Sequence, residues 1–445
     1  MAFLNKILRL FENLKIKEFI NIKTCMLFTC VLSFNQIVAQ KIIFEEYFEE
    51  ATLRFDYHHA GTDTTEVIYP EEYIKEKYWS GSKKHLISPF DYGKYKVVVK
   101  DAATKAIIYS NGYSTLFMEW QTTPEAKKIK RSYYESVNVP FPKNKIILEI
   151  NSIDKSQKWT NIYSEEIDPT DYFIKNENEF TYKVEEIQVN NSPNKALDIL
   201  FLPEGYTENE MDKFIADVNR LKSSLFKVKP FNKFKKNINI RAVLAPSEES
   251  GTDIPGQGIW KKTALNSNFY TFNSERYLTT KDIKAIKDIA GVSYYDQIYI
   301  LVNTEKYGGG AIYNFYNLCT SDNKFTEEVF SHEFGHGLAW LADEYYYDDD
   351  MSSFYDTTLE PREENITTLV NFDKKWKNKL PKELEFPTTA SPKNLNKIGV
   401  YEGGGYTSKG VYRAFQECKM KSNSTKEFCE VCEETIIKVL KYYQE

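Results

Sequence analysis

The stretch FSHEFGHGLAWLADEYYYDDD, residues 330–350, holds the residue types and spacing best suited to chemistry. His332 and His336 are four positions apart, so on a helix they lie one turn apart on one face and present their imidazoles to a single metal ion. Zinc suits this arrangement, because it accepts neutral imidazole and keeps a position open for water or substrate. Glu333 projects beside the histidines, where a carboxylate takes a proton from an attacking water. The pattern predicts a zinc hydrolase with Glu333 as general base.

A third zinc ligand is needed, and the residue pattern leaves its identity open. The chain has five histidines, and the other three (His58, His59 and His85) fall in a β-rich region where solvated or structural roles are expected. A carboxylate is therefore the simpler donor. The candidates that follow the motif are Asp343, Glu344, Glu360, Glu363 and Glu364. On a straight helix Asp343 would lie about 10 Å along the axis from His336, so it can serve only if the chain turns back where the helix ends.

Weaker candidates surround the motif. Tyr406 and Tyr412 lie among glycines near the C-terminus, where a hydroxyl is placed to donate to an oxyanion, and Trp260 is a candidate for lining the cleft. In a chain with 32 tyrosines, packing is the usual alternative for such rings. The acidic run 348–350 is a candidate calcium site, with a solvated loop as the alternative.

The segment CMLFTCVLSFNQIVAQ, residues 25–40, predicts export. It follows a lysine-bearing run and ends in the small-residue pattern of a secretory signal peptide, with cleavage expected after Ala39. An anchored or buried helix is the alternative, although the apolar run is short for a membrane span. We therefore assign residues 1–39 to a signal peptide and expect a secreted, periplasmic or cell-surface protein without stable membrane insertion once the signal is removed.

Export changes the interpretation of the cysteines. Four remain after the signal peptide: Cys319, Cys418, Cys429 and Cys432. Disulfides persist in an oxidising compartment, so we predict disulfide bonds among them, with the pairing left open. The Cys429-Glu-Val-Cys432 spacing also suits half of a zinc knuckle or a redox pair. No further Cys or His lies nearby in the sequence to complete a four-ligand site.

The elements that must position these residues change character once along the chain. Up to residue 188, short alternating runs such as YKVVVKD and KIILEINS are separated by turn residues, which predicts an all-β sandwich over 40–188. From residue 189 strands and helices alternate. The order is the strand LDILFLPEGY, a capped helix over 211–225, the strand INIRAVLA, a capped short helix TTKDIKAIKDIAG that ends at Gly291, the strand DQIYILVNT and a strand over 308–319. The motif helix begins near Thr326. These patterns predict an α/β domain over 189–445.

Composition restricts the class of protein. At 42% hydrophobic and 27% charged residues, the 445-residue chain has material for packed cores and is not typical of disorder. The net charge of −6 is modest and the basic residues are scattered, so no nucleic-acid partner is indicated. We expect a monomer that acts on a protein or peptide.

Several motifs together resemble one family. SHEFGHGLAWLADEY, LDILFLPEGYT, SGTDIPGQGIW with TALNSNFYTF, and YEGGGYTSKGVYR followed by CKM and FCEVC resemble the immunoglobulin-A-peptidase family of bacterial secreted zinc metalloendopeptidases. The likeness covers nearly all of residues 186–445, and LRFDYHHAG resembles the β-sandwich that precedes the catalytic domain in many members. The resemblance implies a metzincin-like zincin in which His332, His336 and Asp343 bind one catalytic zinc ion, and in which Met420 forms a methionine turn beneath the metal. An ordinary core methionine is the alternative for Met420.

The resemblance does not identify a substrate. The family's name comes from immunoglobulin cleavage, so a host or immune glycoprotein is one substrate that it suggests, but no residue of the motifs encodes that preference. An adhesin or glycan-binding protein with a vestigial metal site is the alternative from another class. The intact Glu333 argues against it, because a retired site would tolerate the loss of the base. An exopeptidase or a carbohydrate-directed hydrolase remains open.

Overall fold

A computed structural model of the chain describes residues 42–176, 181–347 and 355–444. The predicted signal peptide and the acidic run 348–350 lie outside these ranges, so the export and calcium predictions cannot be compared with the structure. Within the described ranges, no helix combines the length and the apolar character that a membrane span requires.

The first part of the chain forms two sheets and two short helices, α1 (Phe44–Tyr47) and α2 (Leu116–Gln121). One sheet has the order β5-β1-β2-β8 and the other β4-β3-β6-β7. The strands are β1 Phe48–Gly61, β2 Glu66–Glu76, β3 Tyr95–Asp101, β4 Ile107–Tyr113, β5 Arg131–Pro142, β6 Ile146–Ile153, β7 Trp159–Ile167 and β8 Lys175–Asn176. Aromatic side chains of the two sheets meet: Phe55 of β1 stacks on Tyr163 of β7 with ring centroids 5.2 Å apart.

A six-stranded sheet organises the second part. Its order is β13-β14-β12-β10-β11-β9, with the four central strands parallel and the two outer strands antiparallel to their neighbours. The strands are β9 Lys183–Gln188, β10 Leu197–Glu204, β11 Ile238–Leu244, β12 Gln297–Val302, β13 Gly309–Ile312 and β14 Tyr316–Thr320. All eight residues of β10 are buried, which explains its nearly continuous apolar run, because parallel strands are covered on both faces.

Helices cover both faces of this sheet. They are α3 Met211–Leu225, α4 Ile283–Ala290, α5 Thr326–Ala339 and α6 Glu430–Tyr442. Since side chains alternate along β10, Phe201 joins the core formed with α3, α5 and α6, whereas Leu200 joins the core formed with α4. Trp120 and Tyr133 of the first part pack into this second core. The first part of the chain therefore buries apolar side chains against the back of the six-stranded sheet, and Ile43–Glu445 forms one compact unit.

A small sheet follows the motif helix α5. It contains β15 Tyr346–Tyr347, β16 Ile366–Thr367, β17 Tyr401–Gly404 and β18 Tyr406–Arg413. Strand β15 pairs in parallel with β18, with Tyr346 opposite Tyr406. This pairing holds the chain after α5 beside the glycine-rich hairpin of β17 and β18.

Two helix predictions are confirmed, and one strand prediction is wrong. Helix α5 begins at Thr326, and α3 covers 211–225 after a capping box formed by Thr207 and Glu210. The strand predicted over 308–319 is instead a hairpin of β13 and β14, because Asn314 adopts the left-handed conformation with φ 51° and reverses the chain. Its glycines do lie against another backbone, as predicted: a Cβ on Gly310 would be 2.8 Å from the carbonyl oxygen of Leu278.

Strand β9 also differs from its predicted place. The sequence grouped 183–188 with the β-rich first part, but this strand pairs antiparallel with β11 at the edge of the six-stranded sheet. Its half-buried alternating pattern is shared by edge strands of either sheet, so the pattern alone does not identify its partner. The domain boundary at residue 188 stays a prediction.

Candidate active site

Helix α5 carries the motif residues and ends in a tight reversal of the chain. Its last residue is Ala339, because Trp340 adopts the left-handed conformation with φ 51° and ψ 37°. The Trp340 amide donates to the carbonyl oxygen of His336 at 3.0 Å, which satisfies one of the last carbonyls of the helix. Glycine is the usual residue at such a position. Here the indole packs edge-on against Tyr313, with centroids 5.1 Å apart, and this contact holds the turn.

The reversal brings a carboxylate onto both motif histidines. Asp343 Oδ1 lies 3.1 Å from Nε2 of His332 and 3.3 Å from Nε2 of His336. The two Nε2 atoms are 3.1 Å apart. On the far side of each ring, Nδ1 of His332 is 2.9 Å from the carbonyl oxygen of Lys419, and Nδ1 of His336 is 2.6 Å from that of Leu341.

These three donor atoms fit a divalent metal ion. A carbonyl only accepts, so each Nδ1 must carry the proton and each neutral ring presents a bare lone pair at Nε2. Asp343 Oδ1 is buried and has no hydrogen-bond donor among the described residues. Ligands about 2.0 to 2.2 Å from a tetrahedral zinc ion lie about 3.3 to 3.6 Å apart, close to the spacing of these atoms. His332, His336 and Asp343 therefore form a group that can hold a metal.

Charge couples the members of this group. Burial acts to raise the pKa of Asp343, but the two histidines outweigh burial and hold it well below its usual range. Burial lowers the pKa of His336, and the carboxylate in turn raises it to about 9. The hydroxyl of Tyr406 donates to Asp343 Oδ2 and fixes the carboxylate from the other side.

Glu333 lies beside the donor group and faces strand β13. A Cβ on Gly309 would be only 2.8 Å from Glu333 Oε1, so the carboxylate fits here because residue 309 has no side chain. Burial raises the pKa of Glu333, the nearby Asp343 raises it further, and the two motif histidines lower it. A carboxylate with a raised pKa is suited to take a proton from water and to release it again.

A cleft of about 860 Å³ opens over these residues. Besides the motif, its described lining includes Met118, Glu119, Arg276, Tyr277, Tyr307, Gly309, Ala311, Tyr345, Tyr347 and Tyr406. Glu119 belongs to α2, so the first part of the chain contributes one wall. Tyr277 donates its hydroxyl to Glu119, and burial raises the pKa of this carboxyl to about 7. Sequence reasoning missed Glu119 and Tyr277, because no local pattern links two residues 158 positions apart.

The remaining predicted aromatic residues lie elsewhere. Tyr412 packs against the core, and Trp260 is 66% exposed; neither is among the described residues that line the cleft. Met420 is fully buried beneath α5, where its sulfur is 2.7 Å from the position of a Cβ on Gly335. A methionine turn beneath the metal stays a prediction for Met420.

The alternative carboxylates do not join the two histidines. Glu344 is buried among cysteines, and Glu363 lines the cleft but accepts a hydrogen bond from Tyr355 at 3.2 Å. Glu364 accepts a hydrogen bond from the hydroxyl of Tyr92 at 3.4 Å. Glu360 accepts one from the backbone amide of Asn371 at 3.1 Å.

The cysteines and the other histidines have separate surroundings. All four predicted disulfide cysteines, Cys319, Cys418, Cys429 and Cys432, are free thiols in the structure, so the predicted disulfides are not formed in it. The sulfurs of Cys418 and Cys432 lie 3.7 Å apart, well beyond the bonded distance of about 2.0 Å.

The histidines outside the motif have structural or solvated positions, as expected. His59 is buried between two glutamates, and the side chain of His58 is 42% exposed.

Comparisons with known protein families account for most of the chain. The sequence model described as IgA Peptidase M64 matches residues 186–397 and 390–440. The model described as Peptidase M64 N-terminus matches residues 43–164. No curated protein matches the chain. The two matches follow one another in the order of the β-rich first part and the six-stranded second part.

Proposed function

The chain belongs to the IgA peptidase M64 family, and from this premise we propose that it is a secreted zinc-dependent endopeptidase. Membership makes the protein a peptidase, with proteins or peptides as its substrates. The proposal adds the metal, the internal position of the cleaved bond and export by the N-terminal segment. It also interprets residues 40–188 as a β-sandwich and residues 189–445 as a zincin-type catalytic domain.

One observation carries the proposal. The Nε2 atoms of His332 and His336 and the Oδ1 atom of Asp343 converge to within 3.1 to 3.3 Å of one another, and no described hydrogen-bond donor serves that oxygen. We assign these three residues as the ligands of one catalytic ion. Zinc fits best, since it combines imidazole and carboxylate ligands in four-coordinate sites that leave one position open.

The chain's own residues supply the rest of the chemistry. Zinc, when bound, acts as a Lewis acid toward water and toward the scissile carbonyl. Glu333 accepts the proton of the attacking water and then passes it to the leaving amine. The carbonyls of Lys419 and Leu341 hold the two histidines in the tautomer that frees Nε2. Tyr406 orients Asp343, which is a different role from the oxyanion contact expected from the sequence.

The cleft supports a peptide substrate. Its volume of about 860 Å³ exceeds the needs of a single amino acid, and its aromatic lining suits side chains on both sides of the cleaved bond. The alternative of an adhesin with a vestigial site is not favoured, because the base and all three donor atoms stand together beneath the cleft.

Glu333→Gln tests the proposal. The purified chain is incubated with a mixed protein digest, and cleavage sites are identified by mass spectrometry with and without a chelator. We expect internal cleavage that the chelator abolishes and added zinc restores. The variant should keep its zinc and lose about 100- to 10,000-fold in rate, the usual contribution of a general base.

Glu327→Gln is the matched control, since this residue lies on the same helix with its side chain 43% exposed and outside the cleft lining. It should cleave at the wild-type rate. Turnover of Glu333→Gln near the wild-type level would remove Glu333 from the mechanism, and cleavage that survives full removal of metal would refute zinc dependence.

A further inference from the structure

A second group of ligand-type residues lies next to the candidate active site. It consists of Glu344, Cys418, Cys429 and Cys432, whose ligand atoms all lie within 4.8 Å of one another. All four side chains are buried, with exposed fractions between 0% and 7%. Two of the cysteines come from the start of α6, the third precedes that helix, and the glutamate follows the reversal at the end of α5. The sequence offered only the Cys429–Cys432 half of this group, because its other members lie 11 and 85 residues away.

The spacing of the group is that of tetrahedral zinc. Ligand distances of roughly 2.3 Å for sulfur and 2.0 Å for oxygen place two sulfurs about 3.8 Å apart and a sulfur and an oxygen about 3.5 Å apart. The sulfurs of Cys418 and Cys432 are 3.7 Å apart. Glu344 Oε1 is 3.2 Å from Cys432 Sγ and 4.0 Å from Cys429 Sγ. A disulfide would require two of these sulfurs to approach to about 2.0 Å.

One sulfur of the group accepts a backbone hydrogen bond, and one carboxylate oxygen is left unsatisfied. The backbone amide of Cys429 donates to Cys418 Sγ at 3.2 Å, at the N-terminus of α6. Glu344 Oε1 accepts from the Asn365 side chain at 3.0 Å, but Oε2 is buried and has no hydrogen-bond partner among the described residues. A buried carboxylate oxygen in this condition is costly unless a cation accompanies it.

We propose that Glu344, Cys418, Cys429 and Cys432 bind a second, structural zinc ion. Three thiolates select a soft or borderline metal over calcium or magnesium, and four protein ligands leave no position open for water, which is the pattern of a structural site. This site replaces the predicted disulfides.

The position of the site gives it a function. The backbone amide of Glu344 donates to the carbonyl oxygen of Met420 at 2.8 Å, and the adjacent carbonyl of Lys419 accepts from His332. The ion therefore joins the turn that carries Asp343 to the segment that orients His332. It fixes two of the three ligands of the catalytic ion without touching the substrate.

The test separates the two ions. His332→Ala and His336→Ala are combined so that the candidate active site no longer binds metal, and zinc bound per chain is then measured after dialysis against buffered zinc. We expect one equivalent in this double variant, two in the wild type, and none when Cys432→Ser is added to the double variant. Replacement by Co²⁺ in the double variant should give the intense near-ultraviolet thiolate-to-cobalt absorption, which a site built from imidazole and carboxylate cannot produce.

Cys319→Ala in the same background is the control. This cysteine is equally buried but lies outside the group, on β14, so one equivalent of zinc should remain. A second measurement uses wild-type protein, so it does not depend on whether a variant folds. Peptide-resolved alkylation under native conditions should spare Cys418, Cys429 and Cys432 until a chelator is added.

Three results would overturn the proposal. They are a double variant that binds no zinc, a cobalt spectrum without thiolate absorption, and a Cys418–Cys432 or Cys418–Cys429 disulfide found by peptide mapping without reductant. None of these readings uses turnover, so the second site can fail while the proposed peptidase activity stands, and the reverse also holds.

Discussion

Replacing Gly309 by alanine should slow peptide cleavage while leaving zinc bound. The new Cβ would lie 2.8 Å from Glu333 Oε1 and 2.6 Å from Val329 Cγ1. Ordinary contacts begin near 3.4 Å, so Glu333 must move by about 0.6 Å (3.4 minus 2.8) and Val329 by about 0.8 Å (3.4 minus 2.6). The backbone of Gly309 is outside the left-handed region, so alanine adds no strain of its own.

The expected magnitude follows from that displacement. A misplacement of about 1 Å in a reacting group costs on the order of 100-fold in rate, because the aligned geometry is lost. For about 0.6 Å we expect kcat to fall roughly 10- to 100-fold. The zinc content should stay near that of the wild type, since no proposed ligand is among the atoms nearest to the new methyl group. Crowding against Val329 should lower the free energy of unfolding by about 1 to 3 kcal/mol.

Initial rates on peptides that the wild type cleaves provide the assay, with bound zinc measured on the same samples. Gly404→Ala is the matched control, because the nearest atom to its Cβ would be 3.5 Å away and its rate should not change. Adding Val329→Ala to Gly309→Ala removes one of the two clashes and should restore the rate only in part. A folded, zinc-loaded Gly309→Ala enzyme with more than half the wild-type rate would refute the placement of Glu333.

Three further predictions concern binding and stability. Asp343→Ala should weaken zinc binding more than about 100-fold in a chelator competition, since even residues that only support a ligand are worth 10- to 100-fold. Arg54→Met should lower the free energy of unfolding by roughly 3 to 5 kcal/mol in denaturant titrations, because this buried guanidinium forms ion pairs with three carboxyl groups that would lose their cation. His59→Gln should cost on the order of 3 kcal/mol, and this cost should depend on pH. Burial lowers the pKa of His59, but its two glutamates raise it to about 9 in the folded protein. The stabilisation is therefore complete below the unfolded pKa of about 6.5 and is lost as pH rises through 9.

Each of these predictions has a control on the same protein. Glu363→Ala should leave zinc affinity unchanged, and an equal loss would return the distal glutamates to the ligand set. Lys409→Ala should cost less than about 1 kcal/mol, since its ion pair is on the surface with the lysine 82% exposed. His58→Gln should cost less than about 1 kcal/mol, since this side chain is 42% exposed, and a similar cost for His58 and His59 would contradict the buried ion pairs.

Helices and strands whose residues follow a local spacing or hydrophobic pattern could be predicted from the sequence. The spacing of His332 and His336 identified the motif helix, and the apolar run of β10 identified a strand covered on both faces. The choice of the third ligand depended on where the helix stopped. Trp340 takes the left-handed turn that a glycine normally marks, so the local residues gave no sign of the reversal.

Adjacent residues with opposite roles were also ambiguous in the sequence. Asp343 and Glu344 both qualified as ligands by distance from the motif. In the structure Asp343 faces the histidines, whereas Glu344 faces the cysteines, so one turn supplies a carboxylate to each group. Groups of this kind depend on contacts between segments that are far apart along the chain, and neither periodicity nor composition encodes those contacts.

The hydrogen bond between His332 and the carbonyl of Lys419 has a consequence for biosynthesis. This carbonyl belongs to a residue that the ribosome adds 87 positions after the histidine. A nascent chain that has only completed the motif helix therefore has two histidines but no acceptor to hold His332 in its ligating tautomer. We therefore expect the proposed catalytic centre to be complete only after residue 419 has been synthesised.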